Sequence, residues 1–235
     1  KNKKMKEKIY IISGGSSSIF QKLLSEKYFV NEKIFAIYNS SKKIIKNKNI
    51  NYLKFNYTKK VNLKKHIKII KSYKKIIFIN FASNKTNKTF LNISNDEFLR
   101  DFKINTLSYF DIAKIILPLM IKNNWGRIIN ISSTGGEKGD IGTLTYTSTK
   151  LASNGITNII SKEFGRFNVT SNTIKLGNFK TGMYLNLSEK LKKKILKEIP
   201  SGKTGNFSNI YKAINFLINS DYTNNATINV DGGYR

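Results

Sequence analysis

A chain of 235 residues with 40% hydrophobic and 24% charged side chains can bury one sizeable core and has an ordinary globular composition. Lysine and arginine number 42 against 14 acidic residues, a formal net charge of +28, so acidic partners have to be considered. With no cysteine the chain forms no disulfide and offers no thiolate, and the single histidine, His66, cannot build a metal site alone, so no metal is expected. The basic residues are spread from end to end as lysine, with abundant Asn and Ile beside them. All three types share A/T-rich codons, so codon bias explains the charge without a specific nucleic-acid partner. No apolar run approaches the roughly 20 residues that span a bilayer. The basic N-terminus leads straight into strand-like residues instead of a secretory signal, which makes the cytoplasm the expected compartment. The chain begins at Lys1, with Met5 a candidate natural start.

In chain order, residues 8–13 form a β-branched and aromatic run that stops at Gly14-Gly15, a buried strand entering a tight turn. Ser16, Ser17 and Ser18 follow, then an amphipathic helix through Ile19, Phe20, Leu23, Leu24 and Tyr28. Strand, Gly/Ser turn and helix is the order that aims helix N-terminal N–H groups at a phosphate. Further strands are predicted over 33–38, 51–55, 75–81, 126–131, 168–175 and 226–230. Helices are predicted over 61–73, from Ser94 to about Lys122, from Tyr146 to about Phe164, over 188–199 and over 208–219. Ser94 followed by Glu97 reads as a capping box. Alternating strands and helices imply parallel βαβ units with both sheet faces covered. The expectation is an α/β chain: one Rossmann-type domain over residues 1–235, a doubly wound parallel sheet of about seven strands.

Tyr146 and Lys150 lie four residues apart, so a helix places them on one face, about one turn apart. A fixed ammonium favours the phenolate and moves tyrosine, with its ordinary pKa of about 10, towards the working range. Alone the pair is a weak signal, because a lysine-rich helix face produces it by chance.

The order and spacing of several motifs carry more weight. They are Ser13-Gly14-x-x-x-Ser18-x-Phe20, Asn80-x-Ala82-Ser83, Asn105, Ser133, Tyr146-x-x-x-Lys150, Leu176-Gly177-x-x-x-Thr181 and Asp231-Gly232-Gly233. From about Lys8 to Gly233 the chain resembles the short-chain dehydrogenase/reductase family. In its C-terminal half it is similar to the 3-oxoacyl-[acyl-carrier-protein] reductases, through Gly202-Lys203-Thr204-Gly205 and Asn229-Val230-Asp231-Gly232-Gly233. The resemblance implies a tetrad: Tyr146 as proton donor or acceptor, Lys150 lowering its pKa and binding the nicotinamide ribose, Ser133 holding the substrate carbonyl, and Asn105 keeping a water in a proton relay. It also implies a cofactor site. Gly14, Ser16, Ser17, Ser18 and Ile19 would meet the pyrophosphate, with Asn39 and Ser40 at the ribose end, Asn56 and Tyr57 at the adenine, Asn80 and Ala82 on the ribose side, and Gly177, Phe179 and Thr181 near the nicotinamide. Residues 38–43 hold no carboxylate to repel a 2′-phosphate, which favours NADP over NAD.

The implied activity is interconversion of a ketone and a secondary alcohol by hydride transfer, on a small carbonyl substrate or one bound to a carrier protein. The alternatives are a sugar or surface-polysaccharide ketoreductase, and a non-catalytic basic binding module on a degenerate Rossmann fold. Residues 178–205 are expected to form a substrate lid, and helices 96–122 and 146–164 to pair copies into a homodimer or homotetramer. The family's turn carries glycines where this chain has Ser18 and Phe20. A Cβ at Ser18 is expected to crowd the pyrophosphate, and Phe20 to be large for a place where helix meets sheet.

Overall fold

Each run of β-branched and aromatic residues forms a strand, and each amphipathic segment covers a face of the resulting sheet. A computed structural model of the protein describes residues 5–39, 44–63 and 66–234. In order the chain forms β1 (Lys6–Ser13), α1 (Ser18–Ser25), β2 (Ile34–Tyr38), β3 (Ile50–Lys54), α2 (Ile67–Ile70), β4 (Tyr73–Asn80), α3 (Asn95–Phe102), α4 (Ser108–Lys122) and β5 (Gly126–Ser133). There follow α5 (Gly135–Lys138), α6 (Leu144–Phe164), β6 (Val169–Leu176), α7 (Gly182–Leu185), α8 (Glu189–Glu198), α9 (Phe207–Asn219) and β7 (Thr227–Val230). The strands make one parallel sheet in the order β3-β2-β1-β4-β5-β6-β7. This is the Rossmann-type arrangement that the alternation of elements implies.

Side chains alternate across the sheet, so each strand feeds two cores. Ile9 and Ile11 of β1 face the layer containing Tyr109, Ile112, Ile116 and Ile160. Tyr10 and Ile12 face the opposite layer, with Leu23 of α1 and Ile210 and Ile214 of α9. Strand order reverses between β1 and β4, paired as Ser13 with Asn80. A crevice therefore opens at their C-terminal ends, where such sheets bind ligands.

Several local details differ from the sequence expectation, each for a packing reason. The helix predicted over 61–73 shrinks to Ile67–Ile70. Val61 and Leu63 are instead buried outside any helix, and the Val61 N–H donates to the Asp111 carboxylate at 3.1 Å. The helix from Ser94 does carry both bonds of its capping box. It continues through a π turn, Lys103–Leu107, into α4. As one continuous run Asn95–Lys122 is long and apolar enough to cross a membrane, by length and composition alone. More than half of it is buried, with Tyr109, Ile112, Ile116 and Met120 packed on the sheet, as befits a core helix. The 178–205 segment forms α7 and α8, and its ends are pinned where the Gly205 N–H donates to the Asn178 carbonyl at 2.9 Å.

Phe20 also resolves differently from expectation. Its ring is wholly buried beneath the first turn of α1, 5.7 Å from the Phe81 ring and 6.3 Å from Phe29. The space between helix and sheet is filled by three aromatics, and Phe20 does not intrude on the groove above. We expect Phe20→Ala to cost about 3–5 kcal/mol of stability in urea unfolding, the range for emptying a large core site. A loss below about 1 kcal/mol would contradict this packing role.

Candidate active site

The ends of β1, β4, β5 and β6 meet along one edge of the sheet, where most residues singled out from the sequence gather. Gly14 turns the chain out of β1 with φ +73°, and a Cβ there would lie 2.5 Å from the Ala82 nitrogen. Only glycine permits that approach of backbone to backbone. The Gly14 N–H donates to the Tyr57 hydroxyl at 2.8 Å, and that hydroxyl donates to the Ile37 carbonyl at 2.7 Å. The turn is thus tied to β2 from beneath. Ser17 caps α1, its Oγ accepting from the Phe20 N–H at 3.3 Å. The N–H groups of Ser18 and Ile19 are ones a helix leaves unpaired at its start. Ser18 is exposed, and its Oγ lies 4.0 Å from where a Cβ on Gly182 would stand, so the start of α7 faces the turn across the groove.

Not every expected cofactor contact is available as a side chain. The Tyr57 ring is buried under the turn instead of flanking a groove. Phe179 is buried against Phe207, 5.7 Å between ring centroids, because the glycine at 205 leaves space for its ring. Asn80 is buried in a polar chain: it accepts from Ser13 Oγ and donates to Asn130 Oδ1 at 3.0 Å, and Asn130 donates to Ser153 Oγ at 3.0 Å. These three shape the site through backbone and packing. Ser16, Ser17 and Ile19 are half-buried, Ala82 and Thr181 are buried, and Asn39 and Asn56 are exposed. Gly177 lies at the end of β6, where a Cβ would meet Asp231 Cα at 2.6 Å. Ser40 lies outside the described residues.

At the end of β5, Ser133, Tyr146 and Lys150 come together. Lys150 Nζ donates to the Ile131 carbonyl at 2.9 Å and sits 5.7 Å from the Tyr146 ring centroid. Burial lowers the Lys150 pKa to about 8. Burial also pushes the Tyr146 phenol above its ordinary value, against hydrogen bonds with Ser133 and Ser83 that pull it down. Lost hydration outweighs those two hydrogen bonds, which favours the protonated phenol, the form that donates a proton. Gly136 packs over the pair; a Cβ there would lie 3.2 Å from Lys150 Cβ and 3.4 Å from the Tyr146 ring.

Asn105 sits in the π turn and reads the loop after β4. Its Oδ1 accepts from the Asn84 N–H at 2.6 Å, and its Nδ2 donates to the Asn84 carbonyl and to Thr149 Oγ1, each at 2.9 Å. One buried amide therefore joins the loop to the turn of α6 between Tyr146 and Lys150.

The sequence also matches the family described as short chain dehydrogenase, over residues 11–192. The chain belongs to the short-chain dehydrogenase family. Among its relatives, 3-oxoacyl-[acyl-carrier-protein] reductase from Aquifex aeolicus is 34% identical over 159 residues, 67% of this chain and 64% of that protein. Acetoacetyl-CoA reductase from Allochromatium vinosum is 31% identical over 67% of this chain and 65% of its own length. The matched region thus spans just under two thirds of these relatives. A solved Agrobacterium tumefaciens structure, provisionally described as a gluconate dehydrogenase, superposes with a TM-score of 0.85 at 19% identity, covering 97% of this chain and 95% of that one. At that identity the likeness speaks for the fold.

Three residues of this short-chain dehydrogenase escaped the sequence reading. Ser83 entered only as the last residue of the Asn80-x-Ala82-Ser83 motif, yet its hydroxyl meets Tyr146. Lys85, two residues on, places its Nζ 5.6 Å from the same ring centroid. Asp101 is fully buried and accepts from Asn84 Nδ2 at 2.6 Å, the Thr86 N–H at 3.0 Å and Thr145 Oγ1 at 2.7 Å. Its position four residues before Asn105, on the same helix face, was the available signal. Burial raises the Asp101 pKa, but the hydrogen bonds from Asn84, Thr145 and Thr86 outweigh it and hold the carboxyl below its ordinary value. Asp101→Ala strands three donors, and we expect a loss of about 2–4 kcal/mol at pH 7. A depressed carboxyl stabilises the fold above its unfolded pKa of about 4 and loses that contribution as pH falls through the folded value. The gap between wild type and variant in urea unfolding should therefore hold from pH 7 to about 5 and narrow in stronger acid; a gap that widens in acid would contradict it.

Proposed function

We propose that this protein is an NADP(H)-dependent oxidoreductase that interconverts a ketone and a secondary alcohol. The observation that carries the reading is the convergence of Ser133 and Tyr146 hydroxyls with the buried Lys150, next to the crevice between β1 and β4. The Ser133 and Tyr146 hydroxyls are suited to hold a carbonyl oxygen and to stabilise charge as it develops there. Tyr146, protonated in the protein alone, acts as the general acid in reduction. Lys150 orients the phenol and supplies positive charge at its face.

The groove suits a dinucleotide. The tight approach at Gly14, the exposed first turn of α1 and the inward-turned Phe20 leave the rim of the turn free for a pyrophosphate, met by the Ser18 and Ile19 N–H groups. Ser16, Gly177 and Thr181 are the further residues this reading assigns to the dinucleotide. A nicotinamide bound there supplies or accepts the hydride. The absence of a carboxylate in residues 38–43 supports NADP as the preferred form.

The names of the acyl-carrier-protein and CoA relatives support a 3-oxoacyl thioester as the first substrate class to test. The same reading carries a cytoplasmic location, a single domain over residues 1–235 and self-association through α4 and α6, where Phe110, Leu151 and Ile159 are exposed.

With NADPH and acetoacetyl-CoA, Tyr146→Phe should lower kcat by about 10²–10⁴-fold while leaving NADPH affinity in place. Equal KM values for NADPH and NADH would sink the NADP preference, and failure of either to bind would sink the enzyme reading. Reduction should run at a steady rate below pH 8 and fall as pH rises through about 8, where Lys150 loses its proton. A rate that instead climbs through that range would contradict the role given to the ammonium.

A further inference from the structure

One cation at this site has no part in the chemistry described above. Lys85 follows Ser83 and Asn84 in the loop leaving β4, and its Nζ stands 5.6 Å from the Tyr146 ring centroid, matching the 5.7 Å of Lys150. The loop is fixed on both sides of it. Asn105 binds both backbone groups of Asn84, and Asp101 binds the Asn84 side chain and the Thr86 N–H. The backbone from which Lys85 reaches the phenol is therefore held in place.

Its charge is poorly compensated. Lys85 is half-buried, and burial lowers its pKa; only Asp140, acting at a distance, pulls the other way. Among the described residues no carboxylate comes within 4.0 Å of its Nζ. Lys88, three residues on in the same loop, is by contrast paired with Glu97 at 2.7 Å. A ring face compensates an ammonium only weakly compared with an ion pair. An anion beside Tyr146 would complete the site.

We propose that Lys85 forms an anion subsite at the reacting centre, and that the preferred substrate is a keto acid, or the matching hydroxy acid, whose carboxylate lies a few bonds from the carbonyl carbon. This rests on the reading of Tyr146 as the proton donor to that carbonyl. The reaction then balances as keto acid plus NADPH plus a proton giving hydroxy acid plus NADP⁺. The carbonyl carbon is reduced and the cofactor oxidised, while the carboxylate is held unchanged at Lys85. Partial burial limits screening of the pair, so it discriminates in favour of charged substrates. A neutral thioester offers Lys85 only a carbonyl dipole.

The test compares acetoacetate with the neutral N-acetylcysteamine thioester of acetoacetate, using wild type and Lys85→Met with NADPH. In wild type the acid should have the higher kcat/KM, and in Lys85→Met the ratio of acid to thioester should fall by about tenfold or more. In parallel, calorimetry on NADP⁺-loaded protein, where no hydride is available, should show acetoacetate binding about tenfold more weakly to the variant. An unchanged ratio, or equal binding to both proteins, overturns the subsite. Binding that depends on Lys85 in a protein that turns over neither substrate would overturn the oxidoreductase reading and leave the subsite standing.

Discussion

An ammonium buried at the end of β5 sets the terms for everything around it. Lys150 is 3% exposed, and the hydrogen bond seen for its Nζ goes to a neutral backbone carbonyl, Ile131. Burial costs the charged form its hydration, and the affinity of Lys150 for a proton drops accordingly. The phenol it faces is also buried and resists ionising. A phenol that keeps its proton beside an ammonium that holds its own less tightly is poised to exchange protons with a ligand that enters the site.

That environment depends on a loop held from behind. The Ala82–Thr86 segment contributes Ser83 and Lys85 to the phenol, and two buried side chains fix its position, Asp101 from α3 and Asn105 from the π turn, with Thr145 of α6 donating to Asp101 in turn. The π turn has a visible purpose here. One extra residue in the helix turns Asn105 inward, where its amide satisfies both backbone groups of Asn84 and reaches Thr149 as well. A regular helix over the same residues would shift the phase of every side chain after it.

Much of this was legible in the sequence, and the rest failed for identifiable reasons. Strand and helix order followed from periodicity, because parallel strands buried on both faces read as continuous apolar runs. The helix carrying Tyr146 and Lys150 was anticipated nearly to its ends. Val61 and Leu63 misled, since helical spacing looks the same whether the residues pack as helix or as buried extended chain. Phe20 looked like an intruder at the turn because a motif records which residue is usual and not which partners can accommodate another; Phe29 and Phe81 do so here. Tyr57 and Phe179 were matched by position, but their rings turn inward. Lys85 and Asp101 were invisible as functional groups in a lysine-rich chain, where only three-dimensional neighbours distinguish one charge from another.

The central claim is that hydride moves between a nicotinamide and a substrate carbon held at Tyr146. The most direct measurement supplies NADPH carrying deuterium at both C4 positions of the nicotinamide, together with a keto substrate, and examines the alcohol product by mass spectrometry and NMR. The account predicts one deuterium on the carbinol carbon and its loss in Tyr146→Phe. Alcohol formed without deuterium, or no alcohol from any keto acid or thioester offered to protein that binds NADPH, would contradict it.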